Sequence, residues 1–337
     1  LWHLDGSCLE LVRHWELERF SGEKQHASVE PSTHSARERL KRLLRGAGVE
    51  WSELRASWGT PGLDFGTPYR SPDDRFAIHS MAHLFTVLLA SSDRFANGDI
   101  LAFALDGGPD HVLGRHEFQY VGALSRRGQV EYFPSESPGR LFNTATHIYG
   151  LEAGSLMALA SACPDAVEVD VAALLGENEF GISQAGSDDD VVATADRIVH
   201  EVERIVRARL PRRGDQRFTS REREASAVMK VIQTMSCRIM ERNVDKAVRR
   251  FGLDPRATSL ALSGGFALNC PTNSWLMSRY SFKEFIGSPC SNDSGQALGV
   301  GLMVFHSLLG GQLQFELPGA FLGEPIADTE DALREFA

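Results

Sequence analysis

Between Phe76 and Ala90 the chain reads FAIHSMAHLFTVLLA, apolar on nearly every side of a 3.6-residue turn, and this predicts a helix buried from all directions. After a turn at Asn97-Gly98 comes DILAFALDGG, a continuous apolar run ending in Asp106. A strand of that kind has both faces covered and belongs at the centre of a sheet. EFQYVGALSRRGQVEYF then reads as a hairpin over Arg127-Gly128. Leu141 to Cys163 is helical with a break near Gly150 to Gly154, and Asp188 to Phe251 is helix upon helix with a break at Pro211 to Asp215. Alternation resumes with SLALSGG as strand, Ala267 to Met277 as helix, KEFIGSP as strand and Gly295 to Leu309 as helix. At the front, Leu1 to Phe20 reads as two strands about Asp5-Gly6. A polar loop, a charged helix from about Ala36 to Gly46, a helical turn in WSELRASWG and a Gly/Pro/Asp-rich loop over Trp58 to Asp74 follow. The pattern is that of an α/β chain with strand-rich ends and a helical middle, without short repeats or low-complexity tracts.

Composition narrows the partners. With 337 residues, 42% hydrophobic, the chain has ample material for a core in one large domain or two lobes. Lys+Arg 35 against Asp+Glu 45 leaves a net charge of -10, which argues against nucleic acid and anionic membrane as partners. The basic run RIVRARLPRRGDQR is bordered by Glu203, contains Asp215 and is interrupted by Pro211, so it reads as a solvated helix face. No apolar run reaches the length of a membrane span, and no secretory signal opens the chain. Five scattered cysteines suit reduced thiols and, together with these features, a cytoplasmic location. The chain opens at Leu1 inside a hairpin, which leads us to expect further sequence upstream.

Two features could carry chemistry. His79 and His83, four apart on the buried helix, project from one face, as a divalent cation requires of a single helix. The alternative is a pair of core histidines bonded to backbone. The pair lacks the glutamate of HExxH, and a third ligand must come from elsewhere; Asp293, at a strand-to-helix turn, is a candidate. Three glycine-containing turns also follow strands: Asp106-Gly107-Gly108, Ser263-Gly264-Gly265 and Ser294-Gly295. Glycine there lets backbone amides approach an anion, although tight connections use glycine anyway. Neither GxGxxG nor a P-loop is present. Cys270 and Cys290 read as small buried residues rather than nucleophiles.

Taken together, these segments resemble a known family. LALSGGFALNCPTNSWL resembles the adenosine-binding segment of NodU/CmcH-type O-carbamoyltransferases, and IGSPCSNDSGQALGVGL is similar to their closing motif. HSMAH matches their HHxxH element at the first and last histidines, with Ser80 in second place. ILAFALDGGPD looks like the phosphate-binding strand and turn, LDGSCLELVRHWELERFSGEKQH like the opening hairpin, and FLGEPIADTEDALREF like the end of the catalytic domain. The resemblance runs in family order over nearly the whole chain. It implies an α/β, two-lobed actin/sugar-kinase fold with ribonuclease-H-like sheets and helical insertions. The N-terminal lobe would occupy 1–150 and the C-terminal lobe, with the helical insertion and adenosine motif, 151–337.

The resemblance also implies chemistry. A YrdC-like domain makes carbamoyl adenylate from carbamoyl phosphate and ATP, and the kinase-fold domain passes the carbamoyl group to a hydroxyl of a small molecule, here expected in natural-product biosynthesis. His79, His83 and Asp293 would be the catalytic metal ligands, for iron or zinc. Asp106, Gly107 and Gly108, with Ser263, Gly264, Gly265 and Asn269, would hold ATP or the adenylate. Three departures are read from the sequence. The YrdC-like domain is absent, as a partner chain or a domain lying elsewhere; the family's first strand with its Gly-His-Asp turn is absent; and Ser155, after Glu152, stands where the family has lysine. Two other readings therefore stay open: another nucleotide-assisted acyl transfer or ligation in the same cleft, and a non-catalytic nucleotide-binding subunit.

Overall fold

The computed structural model describes residues 1–18, 22, 33–59, 67–107, 120–176 and 188–319. Its centre is a mixed five-stranded sheet of β5 (Asp99–Ala104), β6 (Tyr120–Arg126), β7 (Gln129–Ser135), β8 (Thr258–Ser263) and β9 (Phe285–Gly287), in the order β7-β6-β5-β8-β9. The first three strands form an antiparallel meander, and β8 and β9 run parallel to β5. That order and polarity are those of a ribonuclease-H-like sheet, and the fold class is α/β. One such sheet is present among the described residues.

The apolar run after Gly98 is the central strand, as its lack of alternation indicates. Its residues divide by parity between two cores. Leu101, Phe103 and Leu105, with Leu260 and Leu262 of β8, face the larger core. That core is covered by α4 (Gly139–Tyr149), α5 (Ala153–Ala162), α7 (Asp188–Arg209), α8 (Ser220–Phe251) and α9 (Cys270–Tyr280), with the short α6 (Val171–Leu175) against α8. Ile100, Ala102 and Ala104, with Ala123 and Ala261, face the other core, which holds α2 (Ile78–Leu88) and α10 (Gln296–Leu309). The alanines let α2 lie close on β5, β6 and β8, while α10 closes over its outer side. Every residue of α2 from Ser80 to Leu88 is therefore buried.

Gly299 of α10 is what permits that closure, because a Cβ there would run into the backbone of Ala82 on α2. The opening hairpin, β1 (Trp2–Asp5) and β2 (Cys8–Leu11), docks on the far end of α10. Trp2 meets Phe305 and Phe315 edge-on, and Leu9 N–H donates to Gln314 C=O at 2.8 Å. Between these, α1 (Thr33–Gly46) is the expected charged helix, β3 (Trp58–Gly59) and β4 (Thr67–Pro68) pair in parallel, and the short α3 (Ser92–Asn97) ends at the expected Asn97-Gly98 turn.

β5, which precedes residue 150, pairs residue for residue with β8, which follows it, because an apolar strand buried on both faces needs neighbours on both edges. One expectation is corrected. The expected helix from Ala267 is divided, a 3₁₀ turn over Gly265–Leu268 preceding α9, because Asn269 caps a new helix. No helix among the described residues is long and apolar enough to cross a membrane.

The close packing of α2 against α10 yields a paired stability test. Gly299→Ala should destabilise the fold by about 1–3 kcal/mol in chemical denaturation although alanine favours helix, since the obstacle is backbone. Gly154→Ala, in α5 with nothing within 4 Å of its Cβ, should lose nothing and gain up to about 1 kcal/mol.

Candidate functional site

The parallel strands β5, β8 and β9 deliver three turns to one edge of the sheet, the crevice outside the carboxyl ends where open α/β sheets bind ligands. Backbone bonds lock the turns together. Leu105 N–H donates to Ser263 C=O at 2.6 Å, Phe266 N–H to Leu105 C=O at 2.9 Å, and Gly264 N–H to Ser291 C=O at 2.7 Å. Gly264 has φ +98°, and any Cβ there would overlap the Leu105 backbone. Thr86 on α2 bonds the Ser263 hydroxyl at 2.9 Å and donates to His83 C=O, while Gln296 Nε2 donates to His79 C=O at 3.3 Å. The helix carrying the histidines is thereby fixed to both β8 and α10.

Where these turns meet α2, four side chains converge. The ligand atoms of His79, His83, Asp106 and Asp293 lie within 4.8 Å of one another. His79 Nε2 is 3.1 Å from Asp106 Oδ2 and 3.2 Å from Asp293 Oδ1; His83 Nε2 is 3.7 Å and 3.4 Å from the same oxygens, and 3.1 Å from His79 Nε2. Ligands held about 2.1 Å from one cation in tetrahedral array sit about 3.4 Å apart, so these spacings fit a divalent ion. Two imidazoles with two carboxylates form a mixed nitrogen and oxygen donor set of the kind that binds transition-metal ions.

The four groups are also coupled electrostatically. Burial works to raise the Asp106 carboxyl, yet hydrogen bonds from both histidines and from Gly107 N–H outweigh it and hold the group far below the usual carboxylate range. Hydrogen bonds from His79 and His83 hold Asp293 well below that range too. Burial opposes a charge on His83, but its bonds to Asp106 and Asp293 win and raise it above an ordinary imidazole. Two carboxylates this close stay ionised only beside positive charge or hydrogen-bond donors, and the two imidazoles provide these. The site is graded: the His83 side chain is 0% exposed at its floor, and that of Asp293 is 66% exposed at its rim.

The expected site residues thus separate. His79, His83 and Asp293 come together, and Asp106, expected in a phosphate turn, lies with them as a fourth group able to hold a cation. The signal for that role was the end of the central apolar run, which places a carboxylate at the crevice. Gly107 lies against the Asn143 amide of α4, and its N–H donates to Asp106 Oδ1 at 2.7 Å. Gly108 falls outside the described residues, as does the closing FLGEPIADTEDALREF segment.

Three residues expected at the nucleotide also have partners within the fold. Ser263 is fully buried with its hydroxyl bonded to Thr86, and Gly264 is packed on Leu105. Asn269 caps α9 and exchanges amide hydrogen bonds with Gln233 of α8, at 3.0 and 3.1 Å. Gly265 differs: only Asp106 Oδ1, at 3.5 Å, lies near its would-be Cβ, so this glycine borders open space beside the metal cluster. Cys290 is buried as expected, but Cys270 is exposed, because α9 turns Thr272 and Leu276 inward. Glu152 and Ser155 sit exposed at the start of α5.

Comparison with known proteins bears on this site. The profile of the Carbamoyltransferase N-terminus family matches residues 60–302, which contain all four converging residues. The chain belongs to that family. Within it, nodulation protein NolO of Bradyrhizobium diazoefficiens is 27% identical over 234 residues, 68% of this chain and 39% of that protein. The uncharacterized protein sll1178 of Synechocystis is 31% identical over 125 residues, 36% of this chain and 19% of that one. The carbamoyltransferase-family chain therefore spans at most about two fifths of the length of these curated relatives. Among solved structures, full-length HypF in its phosphate- and nucleotide-bound form is similar over 85% of this chain and 52% of that one, at 12% identity and a TM-score of 0.44.

If Asp106 is a ligand, Asp106→Ala should weaken zinc or iron binding by more than about 100-fold, beyond the 10–100-fold typical of losing a supporting residue. Metal analysis after equilibrium dialysis reads this directly. Retention of metal by Asp106→Ala alongside its loss in His83→Ala would remove Asp106 from the set.

Proposed function

We propose that this family member transfers a carbamoyl group from carbamoyl adenylate, made from ATP and carbamoyl phosphate, to a hydroxyl of a small molecule in natural-product biosynthesis. The adenylate would come from a YrdC-like partner chain or domain. The observation that carries this reading is the His79–His83–Asp106–Asp293 cluster at the carboxyl ends of the sheet, in a chain of the carbamoyltransferase family. These four residues would hold zinc or iron, which when bound supplies a Lewis acid and a positive charge for oxygen atoms that become more negative during transfer.

The chain's own residues supply the rest. The acceptor oxygen forms a bond to the carbamoyl carbon, the bond from that carbon to the phosphate oxygen breaks, AMP leaves with the electron pair, and the hydroxyl proton passes to a base. His83, buried and held through Thr86, fixes the floor of the site, while Asp293 at the rim leaves the entrance open to a small acceptor. Gly265 gives the adenylate room next to Asp106 that a side chain would fill. The acidic balance of the chain favours a small molecule over nucleic acid as acceptor.

The test supplies the metal-loaded chain with ATP, carbamoyl phosphate and a carbamoyl-adenylate-forming YrdC-like protein, and follows AMP release and the carbamoylated product. AMP should form faster than with the YrdC-like protein alone, and His83→Ala should cut the chain-dependent rate by about a hundredfold or more. AMP release that never depends on this chain would favour a non-catalytic subunit instead. Gly265→Val, with space for its side chain in the free protein, should fold normally and bind adenosine less tightly in calorimetry.

A further inference from the structure

Arg140, the second residue of α4, is partly buried, and its Nε is shielded from solvent with no hydrogen-bond partner. Its guanidinium makes no hydrogen bond or ion pair among the described residues. Such a group is costly to leave without a counterpart and calls for a reason. The surroundings supply one. Ser137 Oγ donates to Asp106 C=O at 2.7 Å and accepts from Gly139 N–H at 3.2 Å. Gly139 packs its Cα so tightly on the Asp106–Gly107 backbone that no Cβ would fit, and Asn143 lies against Gly107. The segment from Ser137 to Asn143 thus clasps the strand end that carries the Asp106 ligand. Arg140 and Asn143, three apart, share one stripe of the helix, and a helical side chain leans toward the N-terminus, here toward that turn.

We propose that Arg140, with Asn143, forms an anion subsite beside the metal cluster that receives the phosphate of the nucleotide-bearing donor. The assignment rests on the donor being an adenylate, as in the function proposed above. The forked guanidinium suits two phosphate oxygens at once, and the Asn143 amide adds a neutral donor. With two carboxylates offsetting a divalent cation, the cluster alone has little net charge with which to hold a phosphate, and Arg140 provides the missing one.

Calorimetric titration of the metal-loaded chain with AMP, adenosine and inorganic phosphate tests this. Arg140→Ala should weaken AMP about 10–100-fold, as loss of a charged hydrogen bond does, and leave adenosine unchanged. Arg140→Lys should recover only part of the affinity, since a point charge replaces the fork. Inorganic phosphate should compete with AMP in the wild type and not in Arg140→Ala. Metal content and thermal melting of both variants should match the wild type. AMP affinity that is unaltered in Arg140→Ala, or AMP and adenosine weakening together, overturns the subsite. So does an Arg140→Ala that weakens inorganic phosphate alone, which would assign the position to a free phosphate donor. Because turnover is not read, failure of carbamoyl transfer counts against the proposed reaction and not against the subsite.

Discussion

The chemistry of this protein depends on how closely one helix can be pressed between a sheet and another helix. α2 carries two imidazoles, and its burial on every side would be impossible over a sheet face of large residues. Ala102, Ala104, Ala123 and Ala261 lower that face, and Gly299 lowers the surface of α10 on the opposite side. Packed in this way, the helix has no freedom to rotate, so the two rings stay on the face toward the strand ends. The bulky partners of these small residues, Leu101, Phe103, Leu105, Leu260 and Leu262, point the other way and hold the long helices. One strand parity thus serves chemistry and the other serves stability.

The same economy governs the turns. Gly264 and Gly139 look alike in sequence as punctuation after or before an element, and both exist because backbone passes against backbone, on Leu105 and on Asp106 respectively. These contacts draw the ends of β5 and β8 and the start of α4 into one knot. Asp106 protrudes from that knot with its conformation fixed by its own Gly107 N–H, and Asp293 arrives from the turn beyond β9. The four converging groups, from three separate segments, are positioned by backbone hydrogen bonds and by side chains that bond to backbone, Thr86, Ser137 and Gln296; His83 Nδ1 has no hydrogen-bond partner.

Much of this was legible in the sequence because the signals are physical. The unbroken apolar run at Ile100 marks a central strand, the interval from His79 to His83 marks one helix face, and Arg127-Gly128 marks a hairpin. Other features were not legible, since they depend on which strands pair. That β5 lies beside β8 decides that Asp106 faces the histidines, and nothing local to Asp106-Gly107 separates a metal ligand from a phosphate turn. A helix-capping asparagine and a nucleotide-binding one share the same local pattern at Asn269, and its pairing with Gln233, which arrives from the distant α8, has no local signal at all.

The pairing of β5 with β8 also sets an order of events at the ribosome. β6 and β7 follow β5 closely and can cover one of its edges at once, but the other edge must wait until all of α4 through α8 has been made. During that interval a strand of isoleucine, leucine, alanine and phenylalanine presents open backbone to its neighbours, the condition under which nascent chains stick to one another. The arrangement that gives the mature protein a dry, rigid centre thus leaves one edge of its central strand open until β8 has been made.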